Sequence, residues 1–134
     1  MMKSQSEYEN IGNLILNSAF EVHKELGPGL LESVYEFCLT EELLNKSLKV
    51  QNQIKLPVVY KGKILNKEFI IDILVEDLII IELKSVELLL PVHEVQLLTY
   101  LKLADKKLGF LINFNVQYLK EGIRRKVNNY FLAS

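Results

Sequence analysis

The chain has one cysteine, Cys38, and two histidines among its 134 residues. A single cysteine cannot form an intramolecular disulfide, and it is too few for a zinc centre of the Cys/His type. Both glycine-rich phosphate-binding patterns, GxxxxGK[ST] and GxGxxG, are also missing, which excludes the common nucleotide-binding loops. We therefore expect the protein to reside in a reducing compartment. We also expect its chemistry to be carried by residues other than cysteines and glycine-rich loops.

Long apolar runs are absent as well, and neither sign of charge is in clear excess. Runs such as Leu78 to Ile81 and Leu88 to Val92 are far shorter than the about 18 residues that cross a bilayer. No apolar stretch precedes Glu7, so a secretory signal is not expected. Sixteen basic residues against 17 acidic ones give a net charge of -1, so any contact with a polyanion must be a local patch. These features predict a cytoplasmic protein without a membrane partner.

The pattern of apolar residues predicts one α/β domain over residues 1–134. A helical spacing runs from about residue 7 to 26 and is ended by Gly27-Pro28-Gly29, after which a second helix follows. The stretch from Val50 to Ser85 is rich in Val, Ile and Leu and indicates three antiparallel strands. Pro57 places the first of these strands near a sheet edge.

The second half of the chain completes this architecture. Pro91 begins a third helix, Leu108 to Phe114 form another strand, and a short basic end follows. The strand after the helix can return beside an earlier one, so the sheet is predicted to be mixed.

Three charged residues contradict the apolar pattern around them. Asp72 interrupts a strand of Ile, Leu and Val, and Glu82 and Lys84 do the same in the next strand. An unpaired buried charge costs several kcal/mol or more, so such residues tend to mark functional sites. Glu82 and Lys84 are two apart and share a face of the strand. An ordinary structural Glu–Lys pair with Asp72 nearby is the alternative explanation.

Glu32 adds a further carboxylate. It lies at helical spacing from Tyr35, Leu39 and Leu43, on the apolar stripe of the second helix. An acid favoured by the helix dipole in the first turn would explain it without any chemistry. Together with Asp72 and Glu82, however, it supplies hard oxygen ligands that suit Mg²⁺ or Mn²⁺.

The shared site makes a geometric demand on the hairpin between the two strands. A two-residue Glu76-Asp77 loop would turn Asp72 and Glu82 to opposite faces of the sheet. The hypothesis therefore predicts a three-residue loop or a bulge that shifts the parity by one.

Asp72 followed by Glu82-Leu83-Lys84 resembles the D…(D/E)xK signature of the PD-(D/E)xK nuclease superfamily. The segment Gly29 to Tyr35 is similar to the motif of its GxxExxY family, and Gln96 with Tyr100 resembles the QxxxY motif of a RecB-like branch. The likeness spans roughly Gly27 to Arg124. One departure is Ile71, which stands where the signature has proline.

The resemblance implies a restriction-endonuclease-like αβββαβ core, with a mixed sheet flanked by helices, and a metal-dependent phosphodiesterase site. By it, Asp72 and Glu82 ligate Mg²⁺ or Mn²⁺, Glu32 completes or orients the site, and the carbonyl of Leu83 is a further ligand. Lys84 positions the attacking water.

Two further groups are candidates for binding nucleic acid. Gln96 and Tyr100 share a helix face and could touch a phosphate or a base, although a tyrosine packed at the core edge explains them equally well. Arg124, Arg125 and Lys126 form the densest basic cluster, which could grip a phosphate backbone or simply be a solvated end.

The sequence thus favours a metal-dependent nuclease, with DNA favoured over RNA as substrate. The alternative is a catalytically silent nuclease-fold module that binds nucleic acid or another protein. A homodimer, or a role as subunit of a larger complex, is left open.

Overall fold

The computed structural model describes residues 3–131. Three helices lie in this part of the chain: α1 (Gln5–Leu26), α2 (Glu32–Asn45) and α3 (Pro91–Ala104). Five strands form one sheet: β1 (Val50–Tyr60), β2 (Lys63–Val75), β3 (Ile79–Lys84), β4 (Leu108–Asn113) and β5 (Ile123–Val127). A short 3₁₀ turn, Leu119–Gly122, precedes β5.

The sheet is mixed, as predicted. Its strand order is β1-β2-β3-β4-β5, with β3 and β4 parallel and the other neighbours antiparallel. The parallel pair arises because α3 carries the chain from the end of β3 back to the start of β4. The α/β fold class and the edge position of Pro57, in β1, are confirmed.

The carboxyl-terminal region differs from the sequence expectation. Residues 123–127, interpreted as part of a short basic end, form the edge strand β5 against β4. Three consecutive charged residues hide the alternation that marks a strand in the sequence. An edge strand accepts them because its outer side faces solvent.

Helices cover both faces of the sheet, and each face has its own core. On one face, α1 and α2 pack on residues such as Ile73, Ile81 and Phe110. On the other face, α3 packs on Leu74 and Ile80. The predicted stripe of α2 is confirmed in part: Tyr35, Leu39 and Leu43 are fully buried, whereas Glu32, at its amino-terminal end, is exposed.

The strands β1 and β2 are longer than the rest of the sheet. β2 pairs with β3 only over Ile73–Val75, but it pairs with β1 from Lys63 onward. Much of this hairpin therefore has no third strand beside it. Within residues 3–131, no helix combines the length and hydrophobicity that a membrane span requires.

Candidate active site

The hairpin between β2 and β3 has a loop of the length that places Asp72 and Glu82 on the same face of the sheet. Val75 pairs with Ile79, which leaves Glu76, Asp77 and Leu78 as a three-residue loop. Glu76 and Asp77 both have positive φ, and the Leu78 N–H donates to the Val75 carbonyl at 2.9 Å. Leu78 is the extra residue that shifts the register by one. The predicted three-residue loop is confirmed.

The regular alternation of side chains along β2 is interrupted at Asp72. Its neighbours Ile71 and Ile73 pack into different cores, Ile73 under α1 and α2 and Ile71 under α3. Regular alternation would send both to the same face. Gln53, across from Asp72 on β1, has a φ of 51°, and the pairing register omits it. The backbone is therefore distorted on both strands at the position of Asp72.

At Asp72 the backbone hydrogen bonds between β2 and β3 are replaced by hydrogen bonds from backbone N–H groups to side chains. The Asp72 N–H donates to Glu82 Oε1 at 3.1 Å. In return, the Leu83 N–H donates to Asp72 Oδ2 at 2.8 Å. The two carboxylates take the place of the backbone acceptors that a regular ladder would supply. Asp72 and Glu82 are thus brought together on adjacent strands, just beyond the last backbone pair of β2 and β3, as the sequence predicted.

The electrostatics of this pair are unfavourable without a partner cation. Glu82 is only 6% exposed. Burial, reinforced by the charge of Asp72, raises the pKa of Glu82 to about 8, although the Asp72 N–H and the charge of Lys84 act in the opposite direction. Desolvation and a neighbouring like charge both disfavour the ionised carboxylate. A cation between the two side chains would remove this penalty.

Lys84 ends β3 beside this pair. It is half-buried, and its positive charge lowers the pKa of Glu82. Its carbonyl accepts the Phe114 N–H at 3.0 Å, which extends the contact between β3 and the chain after β4. The backbone of Lys84 is held on a strand rather than on a loop, because it pairs with Asn113 of β4.

Glu32 is brought to the same cavity but not into contact with the pair. A cavity of about 600 Å³ lies between α2 and the β1–β2 hairpin, and both Glu32 and Asp72 line it. Among residues 3–131, no group of three or more Asp, Glu, His or Cys side chains is close enough together to hold a metal ion. The three-carboxylate site of Glu32, Asp72 and Glu82 stays a prediction.

Glu36, which the sequence analysis did not single out, is the α2 carboxylate linked to Asp72. Gln53 Nε2 donates to Glu36 Oε1 at 2.7 Å and to Asp72 Oδ1 at 3.4 Å, so one amide bridges the two acids. Burial raises the pKa of Glu36, and the charge of Asp72 raises it further. The available signal was spacing, because Glu36 lies one helical turn after Glu32 on the same face.

Gln96 and Tyr100 lie on α3, on the other face of the sheet. Gln96 Nε2 donates to the Tyr100 hydroxyl at 3.0 Å. Tyr100 is buried and its ring lies 5.4 Å from that of Phe69. Burial raises the pKa of Tyr100, and the charges of Glu82 and Asp72 raise it further. Tyr100 is therefore a packed core residue whose pKa is affected by the charges of the two carboxylates. Contact of Gln96 and Tyr100 with nucleic acid stays a prediction.

The basic cluster on β5 does not form one surface. Alternation places Arg124 and Lys126 on the face toward α3, where Glu94 lies 4.0 Å and 2.7 Å from them. Arg125 faces the other way and lies 3.0 Å from Glu9 of α1. Each cation already has a carboxylate partner. The cluster is thus part of a paired, partly exposed strand, and its role in binding nucleic acid stays a prediction.

Tyr35 closes the loop that precedes α2. Its hydroxyl donates to the Gly27 carbonyl at 2.6 Å and accepts the Leu30 N–H at 3.1 Å. Its ring is stacked on Phe114 at 4.5 Å. Gly27 and Gly29 have φ of 67° and 96°, a region that favours glycine. This loop sets where α2 begins, and hence where Glu32 and Glu36 lie.

Comparison with known proteins identifies the family. No curated protein and no solved structure matches the chain. A family model described as the PD-(D/E)XK nuclease superfamily matches residues 9–126, a range that contains α2, α3 and all the site residues named above. The mixed five-stranded sheet flanked by helices is consistent with the restriction-endonuclease-like fold of that superfamily. The chain belongs to the PD-(D/E)XK nuclease superfamily.

Proposed function

We propose that this protein is a metal-dependent nuclease that hydrolyses phosphodiester bonds in DNA or RNA. Membership of the nuclease superfamily supports the reaction class. The observation that carries the proposal is the reciprocal contact between Asp72 and Glu82 at the split between β2 and β3. Two neighbouring carboxylates can both be ionised inside a protein only at a cost in stability, and a cation bound between them removes that cost.

The donor set fits a small divalent cation. Mg²⁺ prefers oxygen ligands, keeps several waters, and is commonly bound through only one or two carboxylates. Asp72, Glu82 and the carbonyl of Leu83 are oxygen donors of this kind on adjacent strands. Glu32, across the cavity, would complete or orient the site. We infer Mg²⁺ or Mn²⁺ as the cofactor from this chemistry.

Such a cation supplies electrostatic stabilisation of the negative charge that develops on the phosphate oxygens. The chain itself supplies the positioning. Lys84 is placed by the last residue pair of β3 and β4, and its ammonium group can hold the attacking water by hydrogen bonding. Gln53 ties Asp72 to Glu36 and so limits the rotation of the Asp72 carboxylate.

We also infer that the chain is of the GxxExxY type within its superfamily. Support comes from the segment Gly29 to Tyr35, where Gly29 has a positive φ, Glu32 lines the cavity and Tyr35 fastens the loop. These three positions support the assignment to that type.

The deciding experiment is a cleavage assay on single- and double-stranded DNA and RNA with Mg²⁺ or Mn²⁺. Wild type is compared with Glu82→Ala and Lys84→Ala, purified in parallel. Metal-dependent cleavage that disappears in both variants is the expected result, and it would name the polymer. If wild type does not cleave, or if all three proteins cleave equally, the nuclease proposal is wrong.

The second candidate is a catalytically silent module that binds nucleic acid or a protein partner, as a homodimer or within a larger complex. It is favoured by one observation: the net charge of -1, since a nuclease that acts alone usually has a strongly basic face. Binding of Mn²⁺ separates the two proposals, because a silent module has no need of the cation.

A further inference from the structure

The hairpin of β1 and β2 extends as a two-stranded arm, defined here as residues 54–71. Its base packs on α3 through Phe69 and Ile71. In its outer part, residues 57–68, no residue is buried and Val58 alone is half-buried. From Phe69 to Lys63 the strand extends ~20 Å, at about 3.3 Å per residue. The arm therefore offers a long exposed surface that begins next to Asp72.

The charge of the arm is unlike that of the rest of the chain. It carries four lysines and one acidic residue, Glu68, whereas the whole chain has a net charge of -1. Lys55 lies 3.9 Å from Glu68. The other three, Lys61, Lys63 and Lys67, are exposed and are in none of the ion pairs found within residues 3–131. This contrasts with β5, whose cations are paired with Glu9 and Glu94.

We propose that the arm binds the phosphate backbone of nucleic acid and holds it beside the Asp72–Glu82 pair. This inference rests on the proposed nuclease function, and it names the surface that receives the substrate. Lysines that neutralise phosphates provide affinity without sequence preference. Tyr60, 60% exposed near the tip, carries Lys61 Nζ at 5.4 Å from its ring centroid, and the opposite face of the ring is available for a base to stack on.

A second copy of the chain is a less suitable occupant, although Val59 and Ile64 are exposed apolar residues. Pairing of two arms would use an open strand edge, either that of β1 or that of the outer part of β2, which has no third strand beside it. The β1 edge contains Pro57, which has no N–H to donate, and the outer part of β2 carries Lys63 and Lys67. Both features protect edge strands from pairing with another chain. Charge and edge chemistry together favour a polyanion.

The test is the salt dependence of binding, measured by fluorescence anisotropy with single-stranded DNA, double-stranded DNA and RNA oligonucleotides. EDTA prevents cleavage, and a parallel series contains Ca²⁺, with the length of the oligonucleotide checked on a gel. Wild type is compared with the triple variant Lys61→Ala, Lys63→Ala and Lys67→Ala. Loss of three phosphate contacts should reduce the slope of log K against log salt by about 2 to 3.

A matched control removes the same charge elsewhere. Lys24, Lys102 and Lys120 are exposed on α1, α3 and the 3₁₀ turn, and their triple alanine variant should keep the wild-type slope. A triple Lys→Arg variant of the arm should keep it as well. Circular dichroism verifies that every variant is folded.

The outcomes distinguish nucleic-acid binding by the arm from the proposed nuclease activity. A slope that falls only in the arm variant supports the proposal, even if wild type cleaves nothing and the nuclease function is wrong. Equal slopes in both triple variants, or no binding by wild type in either buffer, overturn it. So does an arm variant that changes the molecular mass in solution while its slope is unchanged, because the arm is then an interface between copies.

Discussion

Replacing Glu82 by glutamine should stabilise the metal-free protein at neutral and alkaline pH. The pKa of Glu82 is raised from 4.5 to about 8, chiefly by burial and then by Asp72. Each pKa unit corresponds to about 1.4 kcal/mol, so ionising this side chain in the folded state costs about 5 kcal/mol relative to the unfolded chain. Glutamine is neutral at every pH, and its amide oxygen can still accept the Asp72 N–H.

The sign of the pH dependence follows from the raised pKa. Between pH 4.5 and pH 8 the folded protein holds a proton on Glu82 that the unfolded chain has released. The free energy of unfolding contributed by Glu82 is therefore complete below pH 4.5 and is lost as the pH rises to about 8. The difference between Glu82→Gln and wild type should grow by about 1.4 kcal/mol per pH unit across this window and stay constant above it.

The measurement is urea unfolding in EDTA at several pH values, with the exposed Glu25→Gln on α1 as matched control. The control should follow wild type at every pH. Addition of Mg²⁺ should stabilise wild type, because a ligand that binds only the folded state raises its stability, and should have less effect on Glu82→Gln. Parallel profiles for wild type and Glu82→Gln would show that the pKa of Glu82 is not raised in the folded protein.

Three other predictions test single contacts. Lys84→Ala should reduce cleavage about 100- to 1000-fold at saturating metal while leaving Mn²⁺ affinity within about twofold, as calorimetry would show; full activity would exclude the water-positioning role. Tyr35→Phe should lower the unfolding free energy by about 1–3 kcal/mol, because the Gly27 carbonyl and the Leu30 N–H lose their partner; an unchanged urea midpoint would contradict this. Gly122→Ala should cost about 1–3 kcal/mol or more, since its Cβ would clash with the Asn113 carbonyl oxygen; an unchanged melting temperature would contradict this.

The fold was predictable because its signals are local. Helical spacing, the Gly-Pro-Gly stop and the strand runs each depend on neighbouring residues, and each helix and strand they predicted is present. The three-residue loop was predictable for a different reason. Two carboxylates that must share a face permit only one parity in the hairpin between them, so a chemical hypothesis determined a backbone feature.

What the sequence could not predict depends on contacts between distant residues. The link from Glu36 to Asp72 passes through Gln53, which the β1 distortion turns toward both acids. The cations of β5 are paired with Glu9 and Glu94, far away along the chain. The same cluster concealed a strand because its charges break the alternation. Such pairings follow from the packing of helices on the sheet. They cannot be predicted from a short stretch of the sequence, because the paired residues are far apart along the chain.

The fold by itself does not require negative charge at positions 72 and 82. The contact between β2 and β3 needs one acceptor for the Asp72 N–H and one for the Leu83 N–H. A glutamine at position 82 and an asparagine at position 72 would provide both acceptors without placing an ionisable acid beside the buried Glu82 position. The acids therefore bring a cost in stability that hydrogen bonding does not explain. A divalent cation explains this cost, because a cation bound between the two side chains replaces the proton on Glu82 and turns two mutually repelling carboxylates into ligands.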